Sequence, residues 1–309
     1  MQHHSSLETL HLEHSWLTVG VFDGVHRGHR EMINRLTTGA HAQSMPAIVM
    51  TFDPHPAKLF GRGEIKLLTL PDERAEILGG MGVDMVITHP FDRDVANTTA
   101  FDFMARLKTH LGLDHLLLGY DSTLGKNREG NAARLIEIGS ELGYTVETVP
   151  ALSDESGVIS STEIRKLVST GNVREAERLM GHPYRLQGVV VRGDQRGRTI
   201  GYPTANLNYD NEKLIPAGGI YACWGFVKGR RYRAAVNVGT NPTFTPDKQT
   251  LNVEAYLLDF NEDVYDESMR LAFVARLRDE LKFDSVEALV KQIDADVVQT
   301  EQILGEWRP

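Results

Sequence analysis

The sequence predicts an α/β domain with a parallel sheet, followed by a small antiparallel β-barrel domain that ends in a helix. Short apolar runs alternate with amphipathic segments from about residue 16 to 150, and this pattern is typical of βαβ units. After residue 181 the chain changes to short strands separated by Gly, Pro and Asn. The length of 309 residues exceeds what one core usually serves. We therefore expect two domains, residues 1–182 and 183–309.

The first half predicts a Rossmann-like sheet. Five strand-like runs, the first four each followed by a helical segment, are WLTVGVF, AIVMTF, DMVITHPF, DHLLLGYD and YTVETVP. Strands that are apolar throughout indicate a parallel sheet with helices on both faces. Ligands of such sheets bind at the carboxyl ends of the strands, so a site is expected there.

The second half follows the helical segment STEIRKLVSTGNVREAERLMG. Its strand-like runs are RLQGVVVRG, GIYACWGFV, RYRAAVNVG and LNVEAYLLDF. Several short strands with turn residues between them suggest a small barrel or a sandwich. The tail SVEALVKQIDADVVQTEQILGEW is expected to be the closing helix.

Charge and cysteine content limit the partners. A net charge of −9 argues against nucleic acid and anionic membranes, because such binding needs many cations. There is neither an apolar run near 18 residues nor a positively charged leader before an apolar block. The single Cys223 permits no intramolecular disulfide and fits a reducing cytosol. We expect a cytoplasmic monomer or weak homo-oligomer with no nucleic-acid or membrane partner.

The stretch GVFDGVHRGH, residues 20–29, directly follows an apolar run. A strand that turns into a helix near His29 leaves backbone N–H groups and a positive dipole end, which favour a phosphate. His26 and His29 could donate to phosphate oxygens, and a protonated imidazole would offset transition-state charge. A glycine-rich turn with two surface histidines is the alternative. A metal site is disfavoured, because no further His or Cys ligands lie nearby.

A second candidate, ISSTEIR, occupies residues 159–165. Ser160 and Glu163 form a capping box, which needs no ligand. Arg165 in the first turn opposes the helix dipole, and this position suits a bound anion.

These two stretches resemble the signature and the C-terminal phosphate motif of the nucleotidylyltransferase superfamily. TFDPHP (51–56) and GYDSTLGKNREG (119–130) resemble its bacterial flavin-adenylating branch, although Ser122 and Leu124 stand where phenylalanines are usual. A Walker A motif is excluded there, because the spacing is one residue too long and Asn127 replaces Ser or Thr. The resemblance implies that His26 and His29 are catalytic and that Asp121 and Arg128 bind flavin. It implies ATP binding by Gly20, Phe22, Asp23, His26, His29, Ser160, Ser161, Thr162 and Arg165.

The segment GVVVRGDQRGRTIGYPTANL, residues 188–207, has four glycines and three arginines. Backbone N–H groups of such loops form anion-binding concavities. Thr204 and Asn206 present two oxygens to one side of an extended segment, and hard oxygen donors suit Mg²⁺. The alternative is a solvated basic hairpin followed by a turn.

This segment resembles the flavokinase signature almost throughout, and the resemblance continues in GIYA, VNVGTNPTF, LNVEAYLLDF and RLRDELKF. It implies that Glu254 is the general base; an outward-facing strand carboxylate is the alternative. It implies flavin binding by Arg276, Arg278 and Glu280, and Mg²⁺ binding by Thr204 and Asn206. It also implies ATP binding by Gly193, Arg196, Gly197, Arg198, Thr204 and Asn206.

The order of the two resemblances is the arrangement of the bacterial bifunctional riboflavin kinase/FAD synthetase family. Membership implies two Mg-ATP-dependent steps: phosphorylation of riboflavin to FMN in the barrel, and adenylylation of FMN to FAD in the α/β domain with release of pyrophosphate. The expected ligands are riboflavin, FMN, FAD and ATP. Two alternatives stay open: a riboflavin kinase with an impaired adenylylation module, and a non-catalytic flavin or nucleotide sensor.

Overall fold

The computed structural model describes residues 1–61, 65–155, 157–193, 196–240 and 251–307. The chain divides into two compact units, Met1–Ser161 and Thr162–Pro309. The predicted fold class is confirmed, because the first unit contains a six-stranded parallel sheet and the second contains a closed antiparallel barrel. The functional boundary expected between residues 182 and 183 stays a proposal.

The first unit is built on a sheet with the strand order β1-β4-β3-β2-β5-β6. Its strands are β1 (Gln2–His4), β2 (Ser15–Val19), β3 (Ala47–Asp53), β4 (Met85–Pro90), β5 (Leu113–Gly119) and β6 (Thr145–Val149), and a separate hairpin is formed by β7 (Ser153–Asp154) and β8 (Gly157–Val158). Its helices are α1 (Arg27–Ala42), α2 (Pro56–Leu59), α3 (Pro71–Gly79), α4 (Arg93–Asn97), α5 (Ala100–Leu111) and α6 (Ala132–Leu142), with a 3₁₀ turn at Lys126–Arg128.

Apolar side chains cover both faces of this sheet. Ile48 and Met50 of β3 pack in the cluster that includes residues of α5 and α6. Val49, between them, packs in the other cluster with α1 and α3. The chain runs outward from β2 to β3 and β4 in one direction and from β5 to β6 in the other. The topological switch point, where such sheets bind ligands, therefore lies between β2 and β5.

The second unit begins with two helices and continues as a barrel in which every strand pair is antiparallel. The barrel order is β10-β13-β12-β11-β14-β9. Its strands are β9 (Tyr184–Val191), β10 (Ala205–Tyr209), β11 (Gly219–Val227), β12 (Arg230–Thr240), β13 (Leu251–Leu257) and β14 (Ser268–Arg278). Its helices are α7 (Ser161–Ser169, whose first residue belongs to the first unit), α8 (Val173–Met180), α9 (Arg196–Thr199) and α10 (Val286–Glu306).

Alternation along β13 defines the two faces of the barrel. Val253, Ala255 and Leu257 are buried, whereas Glu254 and Tyr256 between them are half-buried. Because successive side chains of a strand point to opposite faces, the three apolar residues point into the barrel and Glu254 and Tyr256 point outward. On another part of the outer face, α10 packs against β11, β12 and β14.

Two local features differ from the sequence expectation. The helical segment 161–181 is two helices, because Gly171 between them adopts a left-handed conformation with φ +80°. Strand β1 was not expected; it has three residues and pairs only with β4 at the sheet edge. A run this short carries little periodic signal.

Candidate active sites

The loop between β2 and α1 lies at the switch point of the sheet. We call residues Gly20–Val25 the glycine-rich loop. Phe22 and Val25 adopt positive φ angles of 51° and 38°, and Gly24 has φ 82°. Such angles are uncommon for residues with a Cβ atom, so contacts outside the loop must hold this conformation.

His26 caps α1, and its ring stacks on that of His29. Nδ1 of His26 accepts a hydrogen bond from the backbone N–H of His29 at 3.4 Å, and the ring centroids are 3.6 Å apart. Because Nδ1 accepts, the neutral His26 ring carries its proton on Nε2. Phe22 packs edge-on against His29, with centroids 5.1 Å apart. The motif thus builds a tight ring stack at the start of α1.

Burial keeps both imidazoles neutral. Desolvation lowers the pKa of His26 to about 4, although the nearby Asp23 carboxylate opposes the shift. Desolvation also lowers the pKa of His29 well below its ordinary value, and the unfavourable interaction of a charged His29 with His26 and with the Arg74 cation adds to this. Each ring is therefore a neutral group at pH 7.

Asp23 is turned away from solvent and holds a neighbouring segment. Its carboxylate accepts hydrogen bonds from the backbone N–H of Leu68 at 3.0 Å and of Thr69 at 2.8 Å. The Thr69 hydroxyl donates to the same carboxylate at 3.1 Å. The side chain is 1% exposed. These contacts make Asp23 a support for the loop conformation.

The second phosphate motif spans the division between the two units. Ser160 and Ser161 end the first unit, and Thr162 and Arg165 lie in α7 of the second unit. The Ser161 hydroxyl donates to the backbone carbonyl oxygen of Asp23 at 2.8 Å. The motif therefore reaches the glycine-rich loop through at least one serine.

The segment after β5 separates into exposed and buried positions. Asp121 and Arg128, the expected flavin residues, are exposed, and Arg128 Nε donates to the Thr123 hydroxyl at 2.9 Å. Leu124 is 9% exposed and belongs to the sheet core, whereas Ser122 is half-buried. The departure from phenylalanine at Leu124 thus affects core packing.

On the barrel, four polar residues form what we call the barrel cluster: Thr204, Asn206, Asn252 and Glu254. The Thr204 hydroxyl donates to Glu254 Oε2 at 3.2 Å. Asn252 Nδ2 donates to Glu254 Oε1 at 2.7 Å and to Asn206 Oδ1 at 3.2 Å. Strand register brings them together, because Asn206 and Glu254 are direct partners across β10 and β13.

This cluster lies on the outer face, so Glu254 is indeed an outward-facing strand carboxylate. It is nevertheless half-buried, and two neutral donors fix both of its oxygens. A chain segment crosses close above Asn206: a Cβ atom at Gly193 would lie 2.4 Å from the Asn206 amide nitrogen. A larger residue at position 193 would therefore displace the Asn206 side chain. The outward position therefore does not make Glu254 a simple solvated charge.

The arginine-rich loop leads from Gly193 into α9. Gly197 accepts a hydrogen bond from the backbone N–H of Tyr202 at 2.8 Å, and Arg198 is exposed. The backbone of Arg196 begins α9. The side chain of Arg196, residues Asp194 and Gln195, and the NPTF part of the motif VNVGTNPTF lie outside the described residues.

The three expected flavin residues of the barrel lie at the end of β14 and just after it. Arg278 is held by α10: its Nε and Nη2 donate to the Asp296 carboxylate at 2.9 and 2.6 Å. Arg276 pairs with Asp279 at 2.6 Å. Glu280 lies against Gly239, where a Cβ atom would be 2.1 Å from Glu280 Oε1. Gly239 is the register partner of Asn252, so Glu280 lies beside the barrel cluster.

Sequence reasoning missed Asn252 and Arg74. Asn252 is in the motif LNVEAYLLDF, but the motif does not reveal that Asn252 contacts Glu254. The contact forms because the two residues are two positions apart on β13 and both point outward. Arg74 is 1% exposed and donates to the Val21 carbonyl oxygen at 2.7 Å. An arginine in an ordinary helical pattern gives no sequence signal of such burial.

The described part of the chain has neither a metal-binding cluster nor a membrane-spanning helix. Among those residues there is no group of three or more His, Cys, Asp or Glu side chains arranged to hold a metal ion. None of the described helices has the length and apolar character needed to span a bilayer.

Comparison with known proteins decides the family. The FAD synthetase family model matches residues 9–163, and the riboflavin kinase family model matches residues 180–304. The chain belongs to the bifunctional riboflavin kinase/FMN adenylyltransferase family. It is 34% identical over 292 residues to the bifunctional riboflavin kinase/FMN adenylyltransferase of Listeria monocytogenes, covering 94% of this chain and 92% of the relative.

Other members of the bifunctional riboflavin kinase/FMN adenylyltransferase family align over a similar length. The Escherichia coli relative is 36% identical and covers 95% of this chain and 94% of its own length. A crystal structure described as a macrolide-efflux protein from Streptococcus pneumoniae has a TM-score of 0.88 at 34% identity, with 99% of each chain covered. The fold and the family assignment therefore extend over nearly the whole chain.

Proposed function

We propose that the two reactions of this family take place at the two sites described above. The chain is an ATP-dependent transferase that phosphorylates riboflavin to FMN and adenylylates FMN to FAD. We assign the kinase reaction to the barrel, residues 183–309, and the adenylyl transfer to residues 1–182. The observation that carries this division is the presence of two distinct polar sites, each inside the matching family region.

In the kinase reaction, Glu254 accepts the proton of the riboflavin 5′-hydroxyl as that oxygen attacks the γ-phosphorus of ATP and ADP leaves. Thr204 and Asn252 hold the two carboxylate oxygens in place. A positioned general base typically contributes 10²- to 10⁴-fold. Much of the remaining rate enhancement comes from alignment of the two substrates.

Mg²⁺ fits the donor set of the barrel cluster. Thr204 Oγ1 and Asn206 Oδ1 are the proposed ligands, and both are hard oxygen donors of the kind that Mg²⁺ prefers. Mg²⁺ usually takes few protein ligands and shares substrate phosphates, so a cluster with a single carboxylate is sufficient. When bound, the ion would neutralise phosphate charge. We propose that Gly193, Gly197, Arg196 and Arg198 surround the ATP phosphates.

In the adenylyl transfer, a phosphate oxygen of FMN attacks the α-phosphorus of ATP, and pyrophosphate leaves. The nucleophile is already ionised and therefore needs no general base. The role left to the protein is to stabilise the growing phosphoryl charge with positioned donors. Neutral His26 presents its Nε2–H for this purpose, and we assign the same task to His29. In the first unit we propose that Gly20, Phe22, Asp23, Ser160 and Ser161 also bind ATP. We propose the same role for Thr162 and Arg165 of the ISSTEIR motif.

For flavin we propose Asp121 and Arg128 in the first unit. In the second unit we propose Arg276, Arg278 and Glu280, of which Arg278 is also held by Asp296 of α10. The single buried cysteine and the net charge of −9 support a cytoplasmic chain without nucleic-acid partners. We propose a monomer or weak homo-oligomer, which ultracentrifugation would test.

Incubation of the protein with riboflavin and Mg-ATP tests the proposal. Chromatography should show FMN first and FAD later. FMN that never proceeds to FAD would instead support a kinase with an impaired adenylylation module. Absence of both products, with flavin still bound, would support a sensor.

A further inference from the structure

A buried layer lies beneath the glycine-rich loop. It consists of the segment Leu67–Leu70, which we call the support segment, and Arg74 on α3. Leu67, Leu68 and Thr69 are at most 2% exposed. None of these residues belongs to the motifs that identify the adenylyl-transfer site.

Arg74 connects three parts of the first unit. Its Nη1 donates to the Val21 carbonyl oxygen at 2.7 Å and to the Thr51 hydroxyl at 2.6 Å, and its Nη2 donates to the Thr69 carbonyl oxygen at 3.2 Å. Thr51 in turn donates to the same Val21 carbonyl at 2.9 Å. One guanidinium group thus joins the glycine-rich loop, β3 and the support segment.

Asp23 makes the reciprocal connection from the loop to the support segment. Its carboxylate accepts the backbone N–H groups of Leu68 and Thr69, and the Thr69 hydroxyl accepts the N–H of Gly24 at 2.9 Å. The loop and the segment are therefore cross-linked in both directions. This explains how Phe22 keeps its unusual positive φ angle, because hydrogen bonds at Val21 on one side and at Asp23 and Gly24 on the other fix the backbone around it.

The burial of Arg74 is difficult to explain by stability alone. A guanidinium removed from water is costly, and replacing buried charges by packed apolar groups is often neutral or stabilising. Burial lowers the pKa of Arg74, and the carboxylates of Asp23, Asp53 and Glu73 oppose that shift. Arg74 thus supplies a fixed cation below a loop whose other side is proposed to meet phosphate.

We infer that Arg74 is a positioning residue for adenylyl transfer, which holds the glycine-rich loop so that His26 and His29 are aligned on the ATP phosphates. The inference rests on the proposed function of that site. Arg74 contacts no substrate in this assignment; it acts through the backbone of Val21 and Thr69. Its loss should therefore reduce kcat of FAD formation more than it raises KM for ATP.

The test compares Arg74→Lys and Arg74→Met with the wild-type chain. Lysine keeps the charge, but its single Nζ cannot occupy the positions of both Nη1 and Nη2. Methionine removes the charge and the hydrogen bonds. We expect kcat for FAD formation from FMN and ATP to fall about 10-fold for Arg74→Lys and about 100-fold for Arg74→Met. Riboflavin phosphorylation should be unchanged. Amide hydrogen exchange of residues 20–25 should become faster, which a role elsewhere in the fold would not produce.

Arg35→Met is the matched control, because Arg35 is a largely exposed arginine of the same unit, on α1. It should leave both activities unchanged. If Arg74→Met fails to fold by circular dichroism, Arg74→Lys decides. The inference is overturned if folded Arg74→Lys forms FAD within twofold of the wild-type kcat.

His29→Ala, assayed in parallel, distinguishes failure of the proposed adenylyl-transfer site from failure of the positioning role of Arg74. FAD formation that survives in His29→Ala contradicts the proposed site itself. FAD formation that is lost in His29→Ala but kept in Arg74→Lys contradicts only the positioning role.

Discussion

The glycine-rich loop and the barrel cluster differ in burial and in what holds them. His26 is 6% exposed and neutral, and the loop before it is fixed by two buried charged groups, its own Asp23 and Arg74 of α3. Glu254 is half-buried on an outer face and is fixed by neutral donors from β13 and the segment before β10. The first site therefore depends on long-range buried contacts, whereas the second depends on strand register.

The difference fits the two proposed reactions. Attack by a hydroxyl releases a proton, so an accessible carboxylate is needed to accept it. Attack by an ionised phosphate releases none, so desolvated neutral donors are sufficient. The comparison can be tested by changes that affect one site and spare the other.

The largest effect is expected for Glu254→Gln. The amide keeps the shape of the side chain but cannot accept the hydroxyl proton, so we expect riboflavin phosphorylation to fall about 10³-fold. FAD formation from supplied FMN should continue at the wild-type rate. Steady-state rates with each flavin measure both, and Glu262→Gln, an exposed carboxylate on the barrel, is the control. Unimpaired kinase activity in Glu254→Gln would contradict the assignment of the base.

His29→Ala should affect the other reaction. Loss of one donor at the reacting phosphate is expected to lower FAD formation by 10²- to 10³-fold. FMN formation from riboflavin should be unchanged. His41→Ala, at the exposed end of the same helix, is the matched control. A parallel loss of FMN formation in a folded His29→Ala protein would show that the two sites are not independent.

Acid should destabilise the first unit through its buried histidines. The pKa of His26 is about 4 when folded and about 6.5 when unfolded, so the unfolded state binds more protons between these values. Its contribution to stability is complete above pH 6.5 and is lost as the pH falls towards 4. The free energy of unfolding lost at pH 5 is about 2 kcal/mol, because pH 5 lies about 1.5 units below 6.5 and each unit contributes about 1.4 kcal/mol.

Calorimetry of wild type and His26→Asn at pH 7.5 and pH 5 measures this effect. Asparagine can still cap α1 but does not titrate. The unfolding temperature of the variant should fall less between the two pH values. An equal fall in both proteins would mean that His26 is not the buried neutral group described here.

The smallest effect is expected for Asn252→Ala. This change removes the donor shared by Glu254 and Asn206, and a hydrogen bond to a charged group is worth about 1.5–3 kcal/mol. We expect riboflavin phosphorylation to fall about 10- to 100-fold, with FAD formation from FMN unchanged. Asn208→Ala, an exposed outward position of β10, should have no effect. Wild-type kinase kinetics in Asn252→Ala would remove Asn252 from the site.

Local signals in the sequence were enough to predict the fold class, whereas the assignment of both sites stays a proposal. The alternation of apolar runs identified the parallel sheet, and GVFDGVHRGH directly follows strand β2, so its histidines lie at the start of α1. Glu254 was identified only through resemblance. Its surroundings could not be predicted, because they depend on the pairing of β10 with β13, which lie 50 residues apart.

The protonation of the histidines could not be read from the sequence either. Their spacing indicated phosphate contacts, but the neutral state follows from burial, which is a property of the packed loop. The contact between Arg74 and Val21 could not be predicted either. The two residues are 53 positions apart in the sequence, whereas Arg74 Nη1 lies 2.7 Å from the Val21 carbonyl oxygen in the structure. The burial of Leu124 could not be predicted from the sequence either. It explains why this position is apolar although it lacks the phenylalanine expected by resemblance.

Mixing two single-site variants tests most directly whether each unit carries one complete reaction. Glu254→Gln and His29→Ala, each supplied with riboflavin and Mg-ATP, should separately yield no FAD: the first forms almost no FMN, and the second accumulates FMN. Together they should form FAD, because FMN released by the His29→Ala chains is adenylylated by the Glu254→Gln chains. A mixture that accumulates FMN without FAD, although Glu254→Gln adenylylates supplied FMN, would contradict two complete and independent sites.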